Sequence, residues 1–113
     1  MTKWLYGLWL DDERNPSKDF LNRVENYCIA ETFEDAIFYL ANFKEDESYE
    51  DLYIDFDHDL GREKTGYDFA KWLLEHEIKI GGFGIHSMNP VGAKNIYELL
   101  THYGYKYLQP SFI

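Results

Sequence analysis

Short apolar runs alternate with amphipathic segments along this chain, and this alternation constrains the fold more than any other feature. Trp4 to Leu10 is apolar and rich in aromatic residues, which is typical of a strand buried on both faces. Later segments carry apolar residues at helical spacing behind capping residues such as Thr32 and Asn89. The predicted strands cover 4–10, 27–31, 52–57, 80–85 and 105–108, and the predicted helices cover 18–24, 33–43, 67 to 76 or 78, and 90–103.

This order of elements predicts a doubly wound α/β fold. Connections between parallel strands are right-handed, so the helices cover both faces of a parallel sheet. We expect five strands in the order 2-1-3-4-5, the common arrangement for a small fold of this type. The last helix of that arrangement has no counterpart after 105–108 in the sequence, and we expect it to be lacking.

The size and composition predict one soluble domain spanning residues 1–113. A hydrophobic fraction of 45% is ample for a core in a chain of 113 residues. The net charge of -10 repels the nucleic-acid backbone, so extended binding to DNA or RNA is not expected. No membrane-spanning run or signal-like start appears, and the single Cys28, expected to be buried, cannot form an internal disulfide. We therefore expect a cytoplasmic protein.

Acidic residues follow two strands that the predicted order makes neighbours. Asp11 and Asp12 come after the first strand, and Asp57 ends the third. Ligands of doubly wound folds lie beyond the carboxyl ends of the strands, where these side chains converge. Three carboxylates around one point suit Mg²⁺ or Mn²⁺, and a cation of that kind favours phosphate oxygens as further ligands. Asp55 would face the same side if the strand continued, but we prefer Asp57.

Two of the four histidines also fall at these strand ends. His58 follows Asp57, and His86 follows the fourth strand. Two imidazoles beside a phosphorus atom can act as base and acid, and Asp59 or Asp57 can hold His58 in one tautomer. The alternative for each histidine is an ordinary surface or capping role.

Further polar residues surround the same predicted edge. Ser87 and Asn89 precede a helix whose first amides can bind phosphate oxygens, and Arg14 adds positive charge. Asn89 also fits a helix cap, and Asp59 fits the start of a turn at Leu60-Gly61.

The chain resembles the receiver domains of two-component signalling over nearly its whole length. "LDDE" resembles the acidic pair after their first strand, "DHDLG" resembles the phosphoacceptor stretch with Asp57 in the acceptor place, and Ser87 resembles their hydroxyl residue after strand four. A receiver carries a Lys before the Pro after strand five, whereas Gln109 precedes Pro110 here. The histidines at 58 and 86 are not receiver features either.

Four strings give a closer resemblance, to a receiver-like family described as processing cyclic phosphates. They are "WLDDERNP" at 9–16, "FDHDLG" at 56–61, "TGYD" at 65–68 and "HSMNPVG" at 86–92. The resemblance implies a phosphoesterase acting on cyclic or terminal phosphates of nucleotides or RNA ends, with links to RNA repair or nucleotide signalling.

We therefore predict a phosphodiesterase or cyclic phosphate hydrolase with His58 and His86 as catalytic residues and Mg²⁺ or Mn²⁺ on Asp11, Asp12 and Asp57. Substrate would be bound by Arg14, Asp59, Ser87 and Asn89. One alternative is a degenerate receiver that acts as a non-enzymatic interaction or signalling module. Another is slow phosphorylation of Asp57, and an uncovered apolar face favours a homodimer.

Overall fold

The computed structural model describes residues 3–44 and 46–109, within which strands and helices alternate as predicted. The strands are β1 (Trp4–Leu10), β2 (Val24–Ala30), β3 (Leu52–Phe56) and β4 (Gly82–Ile85). The α-helices are α1 (Lys18–Arg23), α2 (Phe33–Ala41), α3 (Gly66–Glu75) and α4 (Pro90–His102), and a 3₁₀ turn covers Tyr49–Asp51.

The strands form one parallel sheet in the order β2-β1-β3-β4. β1 lies in the centre and pairs with β2 on one side and with β3 on the other, and β4 pairs with β3. This confirms the α/β class, the parallel sheet and the order of the first four strands. All four carboxyl ends therefore lie at one edge of the sheet.

The prediction of a fifth strand was wrong for the described residues. The segment at 105–108 contacts β4 through one isolated parallel bridge, between Phe83 and Tyr107. Phe83 N–H donates to Lys106 O, and Leu108 N–H donates to Phe83 O, each at 2.9 Å. β4 is only four residues long, so it offers few backbone groups with which a further strand could pair. Residues 110–113, where a last helix would begin, lie outside the described residues.

Helices pack on both faces of the sheet because strand side chains alternate in direction. The larger core lies between the sheet and α2, α3 and α4, and it includes Leu8, Leu10, Ile54, Phe56, Leu40, Phe69, Leu73, Ile96 and Leu100. The smaller core lies on the α1 side and consists of Trp9, Phe20, Val24 and Tyr53. The two cores thereby fix the ends of the strands, after which the predicted site residues lie.

Each α-helix begins at a polar residue whose side chain accepts a hydrogen bond from a backbone N–H. The capping residues are Ser17, Thr32, Thr65 and Asn89. Such caps satisfy amides that lack a partner in the first turn. Asn89, three residues after His86, caps α4, which begins at Pro90.

β2 is an edge strand, and its bounds differ from the sequence prediction. It covers Val24–Ala30 rather than 27–31, and its residues 25–29 are exposed. Cys28 is therefore exposed, contrary to the expected buried thiol. None of the helices in the described ranges has the length and apolar character needed to cross a membrane.

Candidate functional site

An acidic cleft of about 530 Å³ lies where β1 and β3 end. The two strands are neighbours, and Asp57 N–H donates to Leu10 O at 3.0 Å. This pairing brings Asp57 beside Asp11 although the two are far apart in the chain. The cleft is lined by Asp11, Asp12, Glu13, Arg14, Asp57, Asp59, Gly61 and Met88.

Asp11 is buried, and both of its carboxylate oxygens accept hydrogen bonds. Oδ1 accepts from the N–H groups of Glu13 and Arg14 at 2.8 and 2.9 Å. Oδ2 accepts from Arg14 Nε at 3.1 Å and lies 2.9 Å from His86 Nε2. Burial raises the pKa of Asp11, but these hydrogen bonds outweigh it and hold the pKa below its ordinary value. Asp11 is consequently ionised at neutral pH.

His86 follows β4 and lies between two carboxylates. Its Nδ1 is 2.7 Å from Asp55 Oδ1, and its Nε2 is 2.9 Å from Asp11 Oδ2. The ring stacks on the Trp9 indole, with centroids 3.8 Å apart and planes 4° from parallel. A ring nitrogen bonds an ionised carboxylate only by donating a proton. Because the Asp11 carboxylate is ionised, His86 Nε2 donates the hydrogen bond between the two groups.

Asp55 is a site residue that the sequence analysis set aside. It is buried on the α1 side of β3, where its Oδ2 accepts from the Tyr53 hydroxyl at 2.9 Å. That hydroxyl in turn accepts from Arg23 Nη1 at 2.7 Å. Gly84 leaves the necessary room, since a Cβ at that position would lie 2.1 Å from Tyr53 Oη. The available signal was an acid inside an otherwise apolar strand.

Arg14 links the two acids that end β1 and β3. Its Nη2 lies 3.4 Å from Asp57 Oδ2, in addition to its contact with Asp11. A carboxylate of Asp11, a carboxylate of Asp57 and an imidazole nitrogen of His86 offer ligand atoms within 4.8 Å of one another. Oxygen ligands with one imidazole suit a divalent cation, so this group could hold a metal ion. Asp12 lines the cleft but is not part of this group.

His58 belongs to a neighbouring set of contacts on the α4 side. Its Nδ1 lies 2.8 Å from Asp59 Oδ1, and its ring packs so closely on Gly92 that a Cβ there would lie 2.3 Å from Cγ. The hydrogen bond from His58 holds the pKa of Asp59 below its ordinary value. Of the two proposed partners, Asp59 is the carboxylate that contacts His58. Because Asp59 also lines the acidic cleft, each histidine contacts a residue in the cleft wall.

Asn89 and Ser87 organise the loop between β4 and α4. Asn89 Oδ1 accepts from Gly92 N–H at 2.9 Å, which confirms the predicted helix cap. Asn89 N–H donates to Ser87 Oγ at 3.1 Å. The Asn89 amide also approaches Asp59, with Nδ2 at 3.4 Å from its carboxylate oxygens. The loop after β4 is thereby linked to the loop after β3.

Comparison with known proteins gives a family and a fold. The sequence profile of a family described as cyclic-phosphate processing receiver domain matches residues 6–102. A search of curated proteins found no match. One solved structure, a fusion that includes the yeast Spc42 trimeric coiled coil, is similar at 20% identity with a TM-score of 0.62. The similarity covers 98% of this chain and 70% of that one, and at this identity it shows the fold alone.

Proposed function

The chain belongs to the family of cyclic-phosphate processing receiver domains, and from this premise we propose that it is a phosphoesterase. It opens a cyclic phosphate, or cleaves a terminal phosphodiester, of a nucleotide or an RNA end. The net charge of -10 favours such a small or terminal ligand over an extended nucleic acid.

One observation carries the proposal: both histidines have a carboxylate at Nδ1. Asp59 lies 2.8 Å from Nδ1 of His58, and Asp55 lies 2.7 Å from Nδ1 of His86. A carboxylate in that position keeps a proton on Nδ1 and leaves Nε2 as the nitrogen that exchanges protons. Paired histidines arranged in this way suit acid and base work at one phosphorus atom.

The contacts favour His58 as the base and His86 as the acid. His58 Nε2 takes a proton from water as the water oxygen forms a bond to phosphorus. The phosphorus–oxygen bond to the leaving hydroxyl breaks, and that oxygen takes the proton from His86 Nε2. Arg14, Ser87 and Asn89 are the donors that bind the remaining phosphate oxygens.

A divalent cation fits the acidic cleft in this proposal. Asp11, Asp12 and Asp57 would hold Mg²⁺ or Mn²⁺, and the cation would neutralise charge on the phosphate oxygens.

A substrate panel tests the activity. The panel contains 2′,3′-cyclic nucleotides, 3′,5′-cyclic nucleotides and cyclic ADP-ribose phosphates, each assayed with Mg²⁺, with Mn²⁺ and with a chelator. Release of a ring-opened monoester from at least one member is expected. If no member turns over under any condition, the phosphoesterase proposal is wrong and the non-enzymatic receiver becomes the better reading.

Histidine variants test the assigned roles. His58→Ala and His86→Ala should each lower kcat at least about 100-fold, the usual contribution of a general acid or base. His102→Ala is the matched control, because His102 is an exposed residue at the end of α4. Activity of either site variant equal to that of the control would remove the acid–base assignment.

A further inference from the structure

Asp55 has no place among the residues that line the acidic cleft, yet it is buried and makes two hydrogen bonds. Its carboxylate lies on the α1 side of β3, between Tyr53 and His86. A buried carboxylate is costly unless it is fully paired. The groups that pair with this carboxylate are the Tyr53 hydroxyl and the His86 ring.

Hydrogen bonds link Arg23 to Tyr53, Tyr53 to Asp55, and Asp55 to His86. The Arg23 guanidinium fixes the direction of each of them. A guanidinium can only donate, so the Tyr53 oxygen accepts from Arg23 at 2.7 Å. Burial and then the charge of Asp55 raise the pKa of Tyr53, so the phenol keeps its proton and donates it to Asp55 at 2.9 Å. The other Asp55 oxygen is an acceptor too, and His86 Nδ1 lies 2.7 Å from it. Nδ1 must then be the donor.

We infer that Asp55 is a positioning residue, which keeps a proton on Nδ1 of His86 and so reserves Nε2 for the acidic cleft. Tyr53 and Arg23 support it by holding the carboxylate in one orientation. Trp9 contributes by stacking on the ring and fixing its plane. That Nε2 is the reacting nitrogen rests on the proposed function; the location of the proton on Nδ1 does not.

Asp55→Asn is the informative substitution because it keeps the size of the side chain, removes its charge and replaces one acceptor oxygen by an N–H₂ donor. The Tyr53 hydroxyl, fixed as a donor by Arg23, requires the amide oxygen on its side. The amide N–H₂ then faces His86 and donates to Nδ1. The proton on Nδ1 is lost, and Nε2 retains the ring proton toward Asp11.

The matched control is Tyr53→Phe. It removes the hydroxyl that supports Asp55 but leaves the carboxylate opposite His86. Nδ1 of His86 should stay protonated in this variant. The expected result is thus the opposite of that for Asp55→Asn, in which Nδ1 loses its proton.

Long-range ¹H–¹⁵N NMR of the ring nitrogens at neutral pH measures the outcome directly. Protonated Nδ1 is expected in the wild type and in Tyr53→Phe, and unprotonated Nδ1 is expected in Asp55→Asn. Unprotonated Nδ1 in the wild type would overturn the inference by itself, even if the Asn variant failed to fold. Protonated Nδ1 in a folded Asp55→Asn variant would overturn it too.

The spectra also separate this inference from the proposed function. If the ring protons behave as expected while no member of the substrate panel turns over, Asp55 positions His86 and the phosphoesterase proposal fails. If turnover is found, Asp55→Asn should lower kcat about 10- to 100-fold, as substitutions of such supporting groups commonly do.

Discussion

Gly84→Ala should disturb the site although it alters none of the polar side chains themselves. The new methyl group would lie 2.1 Å from Tyr53 Oη, far inside van der Waals contact. Tyr53 cannot swing away freely, because its side chain is fully buried and its hydroxyl is bonded to Arg23 and Asp55. The substitution therefore pushes the hydroxyl out of its hydrogen bonds.

The cost follows from two effects and one offset. Overpacking a core position costs about 1–3 kcal/mol, and losing a hydrogen bond to a charged group costs about 1.5–3 kcal/mol. Replacing Gly by Ala returns about 0.4–1 kcal/mol through the unfolded chain. The free energy of unfolding should fall by about 1.5–5.5 kcal/mol.

A double-mutant cycle with Tyr53→Phe isolates the hydroxyl. In that background the nearest atoms to the new methyl are Asp55 Oδ2 at 3.1 Å and the ring Cζ at 3.2 Å, contacts that small shifts relieve. The cost of Gly84→Ala should then fall to about 1 kcal/mol or less, a coupling of about 2 kcal/mol. Urea unfolding with a check of constant m-values measures all four proteins.

Gly82→Ala is the control, since its methyl would meet the ends of Leu108 and Trp4 rather than Tyr53. Its cost should be the same in both backgrounds. If the cost of Gly84→Ala is also the same in both, to within about 0.5 kcal/mol, the hydroxyl does not limit the space at Gly84 and the reasoning is wrong.

Two further predictions concern charge in the acidic cleft. The folded pKa of Asp11 lies below its ordinary value of about 3.9, so as the pH falls the unfolded chain takes up this proton first. The stabilisation is present above about pH 5 and is lost as the pH falls through the folded pKa. In urea unfolding, Asp11→Asn should be less stable than wild type at pH 7, and the difference in the free energy of unfolding should narrow by pH 3. A difference that does not change with pH would contradict this prediction. Arg14→Gln removes a positive side chain that contacts both Asp11 and Asp57. The affinity for Mn²⁺, measured by titration calorimetry, should therefore rise about tenfold. Unchanged or weaker binding would argue against a metal ion at these carboxylates.

The sequence predicted the fold well where local chemistry decides structure. β1 has the predicted bounds of Trp4–Leu10, and Thr32 and Asn89 cap helices as expected. Caps and buried strands are recognisable because a residue and its near neighbours determine them. The receiver-like strand order followed from the alternation of elements, which leaves few topologies open.

The sequence predicted less where pairing between distant segments decides structure. β2 begins at Val24 because its backbone pairs with β1 from Trp4 onward, and residues 25–29 carry no alternation of buried and exposed side chains that would mark a strand. The segment around Tyr107 has strand-like composition but meets β4 at one bridge. The composition of a segment indicates that it can form a strand. The length of the neighbouring strand determines how many of its residues pair.

The site was predicted in outline but not in its contacts. Asp11, Asp57 and His86 were expected at one edge and lie together there. Asp55 was considered as an alternative to Asp57, and Asp57 was preferred. The alternation of side chains would put both acids on the same side if β3 continued beyond Phe56, but no local pattern reveals that Asp55 bonds a histidine that follows the next strand.

The positive charges of the cleft bear on whether such a site stores a phosphoryl group or turns over substrate. A receiver has a Lys before the Pro after strand five, where this chain has Gln109. Here the Asp11 carboxylate lies 3.1 Å from the Arg14 guanidinium and 2.9 Å from the His86 ring. A guanidinium stays charged at any working pH, whereas an imidazolium can give up its proton near neutral pH. His86 therefore brings to this cleft what a lysine does not readily supply, a proton that a departing oxygen can take. Under the proposed function, a proton carrier in place of a fixed charge favours hydrolysis of the substrate over lasting phosphorylation of Asp57.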